Sequence, residues 1–233
     1  MNTTIQKQLE EIDASVREVA NKDPLADYVD PIYDGVADLE RYLHAQPRVM
    51  WLMKEPYDST DENGNPFGGG WRLTDCFRKD DVLNCRSWHP IIYVMYGIIN
   101  GCKWDDMDWI RDDKSMVDVL QTIAYLNLCK MPNSSRSNNA LVARKYSNIW
   151  KPVTLRQIEV LNPDVIICAG TFHIANRDLG IPPEATPIQT FADGVVKLYR
   201  TGSRKIIDTY HPNQRSVGHE KYVDGIIDAI RTL

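Results

Sequence analysis

Residues 164–170, Asp164-Val165-Ile166-Ile167-Cys168-Ala169-Gly170, form a short and almost entirely apolar run. A run of this kind is typical of a parallel β-strand that is covered on both faces. Three further apolar runs lie elsewhere in the chain, at Val49 to Met53, Ile123 to Leu126 and Lys205 to Tyr210. Helical patterns separate these runs. We therefore predict an α/β fold, a three-layer α/β/α sandwich with a mainly parallel central sheet of about four or five strands.

Helical periodicity is clear near the N-terminus. Apolar residues recur there at spacings of three and four among charged ones, at Ile5, Leu9, Ile12, Val16 and Val19. This pattern predicts a helix with one apolar face, which we expect to pack on the main body. We divide the chain into an N-terminal helical segment, residues 1–45, and a main domain, residues 46–233.

Composition restricts the class of protein. With 233 residues, 43% of them hydrophobic, the chain can bury a large core. No apolar stretch approaches the roughly 20 residues that span a bilayer, and the N-terminus lacks the pattern of a signal peptide. We expect a cytoplasmic protein that makes no contact with membranes. The net charge of −5 disfavours a strong nucleic-acid binder, so any such binding requires a local basic rim.

The cysteines argue against a disulfide framework. There are five, spaced widely and without a CxxC pair: Cys76, Cys85, Cys102, Cys129 and Cys168. This usage is typical of a reducing compartment. Cys85 and Cys102 would be half of a metal or cluster site, but no second pair accompanies them. We expect no metal, no cofactor and a monomer.

Three of the apolar runs end in reactive polar groups, namely Glu55, Asn127 and His211. Ligands of open α/β sheets bind at the carboxyl ends of strands, so these groups are candidates for one cleft. A carboxylate can activate water or stabilise a cation, and an imidazole can donate to a charged leaving group. An asparagine amide can pair with the N3–H and O4 edge of uracil. The alternative is structural: a surface ion pair for Glu55, a turn for Asn127 and a loop contact for His211.

A glycine-rich segment follows the first of these runs. Residues 64–73 read Gly-Asn-Pro-Phe-Gly-Gly-Gly-Trp-Arg-Leu. The glycines allow a close approach of backbone to a ligand, and Phe67 suits stacking on a base, a contact worth about 1–3 kcal/mol. No Gly-Lys-Ser/Thr follows, so the segment is not a phosphate-binding loop.

Taken in chain order, these motifs resemble the uracil-DNA glycosylase superfamily. Lys54 to Asp58 resembles the Gly-Gln-Asp-Pro-Tyr-His element of the classical enzymes. Residues 64–73 resemble the Gly-x-Pro-Phe-x-Gly element of the thermophilic branch. Asn127 to Pro132 is similar to that branch's Asn-Val-Val-Lys-Cys-Arg-Pro-Pro, and His211-Pro212-Asn213 stands where the family has His-Pro-Ser.

The resemblance implies a role for each matching residue. Glu55 would orient water and support the sugar cation, and His211 would stabilise the departing uracil anion. Phe67 would stack on the flipped-out base, Asn127 would read its edge, and Tyr57 would exclude thymine.

The implied partner is DNA that contains uracil or a damaged base. Lys130, Asn213 and Arg215 are the residues expected to contact it. Candidates for phosphate contact are all basic: Arg72, Lys130, Arg136, Arg204 and Arg215.

Some positions depart from the family pattern. Glu55 replaces an aspartate, Lys54 replaces a glutamine and Asn213 replaces a serine, and the cysteines of the cluster-containing branch are absent before Cys76. We predict an N-glycosylase that hydrolyses the N-glycosidic bond of uracil or a related base in base excision repair. The alternatives are a non-catalytic binder of nucleic acid or nucleobases, or an N-glycosidase for free nucleosides or nucleotides.

Overall fold

The structure is a computed structural model that describes residues 2–75, 77, 79–133 and 138–232. Arg136, one of the candidates for phosphate contact, lies outside the described residues, as does Cys76. Within these ranges the protein is α/β, with helices on both faces of a central sheet.

The main sheet has seven strands in the part of the chain that the structure describes. In chain order the strands are β1 (Gly35–Val36), β2 (Val49–Met53), β5 (Ala124–Asn127), β6 (Val165–Ala169), β7 (Gln189–Phe191), β8 (Val196–Thr201) and β9 (Arg204–Thr209). A separate hairpin joins β3 (Ser59–Thr60) to β4 (Pro66–Phe67). The spatial order in the main sheet is β1-β5-β2-β6-β9-β8-β7.

Four adjacent strands, β5, β2, β6 and β9, run parallel in the centre of the sheet. They coincide with the four apolar runs of the sequence. Antiparallel strands extend the sheet at both sides, β1 beside β5 and the pair β8 and β7 beyond β9. The predicted count of four or five strands is therefore too low, because the prediction did not include the short edge strands.

The helices have the following bounds: α1 (Asn2–Ala20), α2 (Leu39–His44), α3 (Lys79–Asn84), α4 (Trp88–Asn100), α5 (Asn139–Lys145), α6 (Lys151–Leu161), α7 (Phe172–Ala175) and α8 (His219–Arg231). A π-helical turn, Tyr146–Trp150, joins α5 to α6. Shorter 3₁₀ segments occupy Leu73–Asp75, Trp104–Asp106, Lys114–Thr122 and Ala192–Gly194. Among the described residues, no helix combines the length and the apolar character that crossing a bilayer requires.

The two faces of the sheet bury separate cores. Val49, Trp51 and Met53 of β2 point to the core shared with α4 and α8. Met50 and Leu52 point to the core shared with α1 and α6. Because successive side chains of a strand alternate between faces, a strand as apolar as β2 must be covered on both.

The N-terminal segment is part of this architecture. The apolar face of α1 packs on α6, and Ile12 and Val16 are buried there. Residues 35 and 36 add β1 to the main sheet beside β5. The helix predicted near the N-terminus is confirmed, whereas the domain boundary at residue 45 stays a prediction.

Candidate active site at the carboxyl edge of the sheet

The parallel centre brings the ends of the predicted strands to one edge. In the register of β2 and β5, Asn127 stands opposite Met53, and Ala169 of β6 stands opposite Thr209 of β9. Glu55 follows β2 by two residues, and His211 follows β9 by two. The three polar groups therefore leave the sheet at the same edge, which we call the carboxyl edge.

A crevice is expected between β2 and β6. After β2 the chain continues to β5 on one side, and β6 lies on the other side. Loops that diverge in this way leave a gap at the carboxyl edge, where ligands bind in open α/β sheets. Lys54 and Glu55 follow β2 there, and Gly170 and Thr171 follow β6.

Lys54 reaches across this gap toward β9. A β-carbon placed on Gly170 would lie 3.3 Å from Lys54 Cε, and 3.7 Å from both Lys54 Nζ and the backbone nitrogen of His211. Gly170 has φ +73°, a conformation that favours glycine. The absence of a side chain at Gly170 thus lets the lysine approach the histidine.

Hydrogen bonds fix the backbone around this glycine. Gly170 N–H donates to the carbonyl of Thr209 at 2.7 Å. The hydroxyl of Thr171 is buried and donates to the carbonyl of Leu52 at 2.8 Å. These bonds tie the end of β6 to its two neighbouring strands.

His211 is held neutral. Burial, together with the positive charge of Lys54, lowers its pKa to about 4. Its Nδ1 lies 3.1 Å from the backbone nitrogen of Asn213, which donates the hydrogen bond. A neutral ring that accepts at Nδ1 carries its proton on Nε2. His211 therefore offers one N–H donor at neutral pH.

Glu55 is buried, with 6% of its surface exposed. The side-chain amide of Asn133 donates to Glu55 Oε1 at a long 3.4 Å. Two backbone bonds hold the loop around Glu55, from Cys129 N to Lys54 O and from Asn133 N to Pro56 O, both 3.0 Å. Burial lowers the pKa of Lys54, and the charge of Glu55 opposes this effect. The site thus combines a carboxylate, an amine and a neutral imidazole.

Two aromatic residues of the predicted site are exposed. Tyr57 is 49% exposed and forms a bridge with Asn133, and Phe67 is 61% exposed on β4. Asp58 supports the hairpin, because its Oδ2 accepts from Gly69 N–H at 2.9 Å and from Trp71 Nε1 at 3.2 Å. The ring of Phe67 is therefore presented to solvent on a braced hairpin, as stacking on a base requires.

Asn127 is placed differently from Glu55 and His211. It is 1% exposed, its backbone N–H donates to Asp34 Oδ2 at 2.6 Å, and its side-chain nitrogen lies 3.4 Å from the same oxygen. Its amide belongs to a buried polar cluster beside β1. β5 therefore ends at the expected edge, but the side-chain nitrogen of Asn127 faces Asp34.

Lys130 belongs to the same buried cluster. Its side chain is fully buried, and Nζ donates to Asp34 Oδ1 at 2.8 Å, Asp34 Oδ2 at 3.0 Å and Asn127 O at 2.6 Å. A lysine in this position cannot reach a phosphate without breaking the cluster. The contact with DNA that the resemblance implies does not fit this placement, because the ammonium neutralises Asp34.

The remaining basic candidates are dispersed. Arg72 bonds Asp13 and lies over the Tyr33 ring, and Arg204 begins β9 at the opposite edge of the sheet. Asn213 and Arg215 are exposed in the loop after His211. Gln214 braces this loop, since its Oε1 accepts the N–H groups of Ser216 and Val217. Asn213 and Arg215 are thus placed beside the carboxyl edge.

Sequence reasoning missed three contributors, Lys54, Gly170 and Asp34. Lys54 and Gly170 each end an apolar run, and this position was the available signal. Asp34 carries no comparable signal, because its partner Lys130 is 96 positions away in the chain.

Neither a scan against models of known protein families nor a search of curated proteins finds a match for this chain. Among the residues with described positions, no three His, Cys, Asp or Glu side chains are grouped so as to hold a metal ion.

Proposed function

We propose that this chain is an N-glycosylase that hydrolyses the N-glycosidic bond of uracil, or a related damaged base, in DNA. The observation that carries the proposal is a neutral His211, with its proton on Nε2, beside Lys54 at the edge that also carries the buried Glu55. The separate cores on the two faces of the sheet support a three-layer α/β/α sandwich as the frame of this site.

The chemistry needs a group for each charge that develops. When the bond between the sugar and the base breaks, its electron pair leaves with the base, and positive charge develops on the sugar. His211 Nε2–H and the Lys54 ammonium stabilise the anion of the departing base. Glu55 stabilises the sugar cation and orients the water that adds to it. The released base takes up the proton that this water loses.

The target base must first leave the DNA stack. Phe67 and Tyr57 supply exposed rings for stacking against it, and Arg215 and Asn213 flank the site. In this mechanism the side-chain oxygen of Asn127 accepts a hydrogen bond from the base, and Asp34 orients the side-chain amide.

The test is release of uracil from single-stranded DNA. We expect His211→Ala to reduce the rate by about 10²–10³-fold, the range for loss of a donor to a developing anion. We expect Asn127→Ala to abolish most activity as well. His44→Ala is the control, because His44 is exposed and precedes β2 at the opposite edge. Undiminished release by both His211→Ala and Asn127→Ala would refute the proposal.

The small number of described basic side chains near the site supports a second candidate, an N-glycosidase for free nucleosides or nucleotides. Lys130 is buried and Arg204 lies at the opposite edge, so few described basic residues border the site. Affinity for DNA that falls steeply with rising salt supports the DNA substrate. Release of base from a nucleoside at a rate insensitive to salt supports the second candidate. Tight binding of uracil-containing DNA without an abasic product supports a non-catalytic binder.

A further inference from the structure

A cavity lies between α1 and β1. Its volume is about 350 Å³, within the range of small-molecule sites. We call it the α1–β1 cavity. Gly35 borders it with φ +142°, and a β-carbon added to this glycine would meet nothing within 4 Å. The chain therefore leaves room here that an ordinary side chain would reduce.

Gln157 lines this cavity with a buried polar side chain. The residue is 2% exposed, and its Nε2 donates to the carbonyl of Asp34 at 3.2 Å and to Asp34 Oδ1 at 3.1 Å. These bonds fix the orientation of the amide. Gln157 Oε1 has no hydrogen-bond partner among the described residues. A buried acceptor left in this state destabilises the folded protein, and a donor on a ligand would offset that loss.

The charges of the cavity favour a cation. Glu10 and Asp13 line it from α1, and Arg72 lines it from the opposite side. Arg72 is paired with Asp13, and Asp34 is neutralised by Lys130. One negative charge remains in excess. Burial raises the pKa of the Asp13 carboxyl, the hydrogen bond and charge of Arg72 lower it, and the charges of Asp34 and Glu10 raise it.

The rest of the lining is largely apolar. Aliphatic side chains contribute from α1, β1, the start of α2 and the 3₁₀ segment after Arg72, namely Leu9, Ile12, Val36, Leu39 and Leu73. An occupant therefore needs an apolar body in addition to its charged group.

We propose that the α1–β1 cavity binds a small organic cation with an amino or amidino group on an apolar body. Its N–H group donates to Gln157 Oε1, and its positive charge faces Glu10 and Asp13. This inference does not rest on the glycosylase proposal, and the two sites share Asp34, which lines the cavity and bonds Asn127.

The test uses benzamidine, neutral benzamide of the same shape, and benzoate, titrated into the full chain by calorimetry. We expect benzamidine to bind at least about tenfold more tightly than benzamide, a difference of about 1.4 kcal/mol, and benzoate not to bind. Glu10→Gln is expected to weaken benzamidine severalfold. Glu11→Gln, an exposed neighbour on α1 that does not line the cavity, should leave the affinity unchanged.

Amide chemical shifts locate the bound molecule. We expect benzamidine to shift the backbone resonance of Gly35 and the side-chain amide resonance of Gln157. The proposal is overturned by an absence of benzamidine binding, by equal binding of benzamide or benzoate, by equal effects of Glu10→Gln and Glu11→Gln, or by shifts confined to the carboxyl edge. Glu10 is exposed, so Glu10→Gln should fold normally and the test does not require a variant of buried Gln157.

Discussion

Replacing Asp34 by asparagine keeps the shape of the side chain nearly unchanged but removes the negative charge that Lys130 faces. Both side chains are at most 1% exposed, and two of the three hydrogen bonds of Lys130 Nζ go to this carboxylate. Breaking a buried pair by removing one partner costs about 3–5 kcal/mol. In a protein of this size each kcal/mol lowers Tm by about 2–4 °C, so we expect Tm to fall by about 6–20 °C.

The pH dependence makes this prediction sharper. Burial lowers the pKa of Lys130, and without Asp34 the folded protein favours the neutral amine still more. The unfolded chain holds the proton up to its ordinary pKa of about 10.4, so neutralising the lysine on folding becomes less costly as pH rises. The loss of stability in Asp34→Asn should therefore be largest at pH 7 and shrink toward pH 10.

The measurement is urea unfolding of the wild type and the variant across this pH range. Asp228→Asn is the matched control, because its partner Lys103 is 45% exposed and Asp228 is 40% exposed. An exposed pair of this kind contributes about 0–1 kcal/mol. Equal losses in the two variants, or a loss in Asp34→Asn that grows with pH, would refute the reasoning.

Three further predictions concern the carboxyl edge. Gly170→Ala should lower the free energy of unfolding by about 1–2 kcal/mol because of the left-handed backbone, and further because the new methyl group meets Lys54. Gly202 also has a positive φ but open space around it, so Gly202→Ala should lose only the backbone contribution. Urea unfolding measures both losses. Equal losses would contradict the close approach of Lys54. The pKa of His211 in the folded protein is about 4, below its value in the unfolded chain. As pH falls, the unfolded chain therefore binds the proton first. The free energy of unfolding should fall by up to about 3 kcal/mol between pH 6.5 and pH 4. Lys54→Ala should raise the pKa of His211 in an NMR titration, because it removes a nearby positive charge. An unchanged pKa would show that Lys54 does not act on His211.

The central strands could be predicted because their sequences carry the physical signal. A strand buried on both faces must be apolar along its length, and β2 and β6 are. The edge strands carry no such signal. β1 has two residues, and β7 exposes Gln189 and Thr190, so pairing with neighbours determines them and not the local sequence.

The candidate site was predictable to the same extent. Parallel strands bring their carboxyl ends to one edge, so the positions of Glu55 and His211 follow from the strand assignment alone. The surroundings of Asn127 do not follow from it. They depend on Asp34, which is remote in sequence and meets Lys130 and Gln157 only in the folded chain.

The two ends of the main sheet affect how the protein behaves at high concentration. An exposed sheet edge is a template on which a strand from another molecule can add and start aggregation. Here one end is β1, with two residues, and the other is β7, with three. Each offers few backbone groups for a foreign strand. The apolar centre, which would be the most adhesive part of the sheet, has neighbours on both sides and is kept from intermolecular pairing.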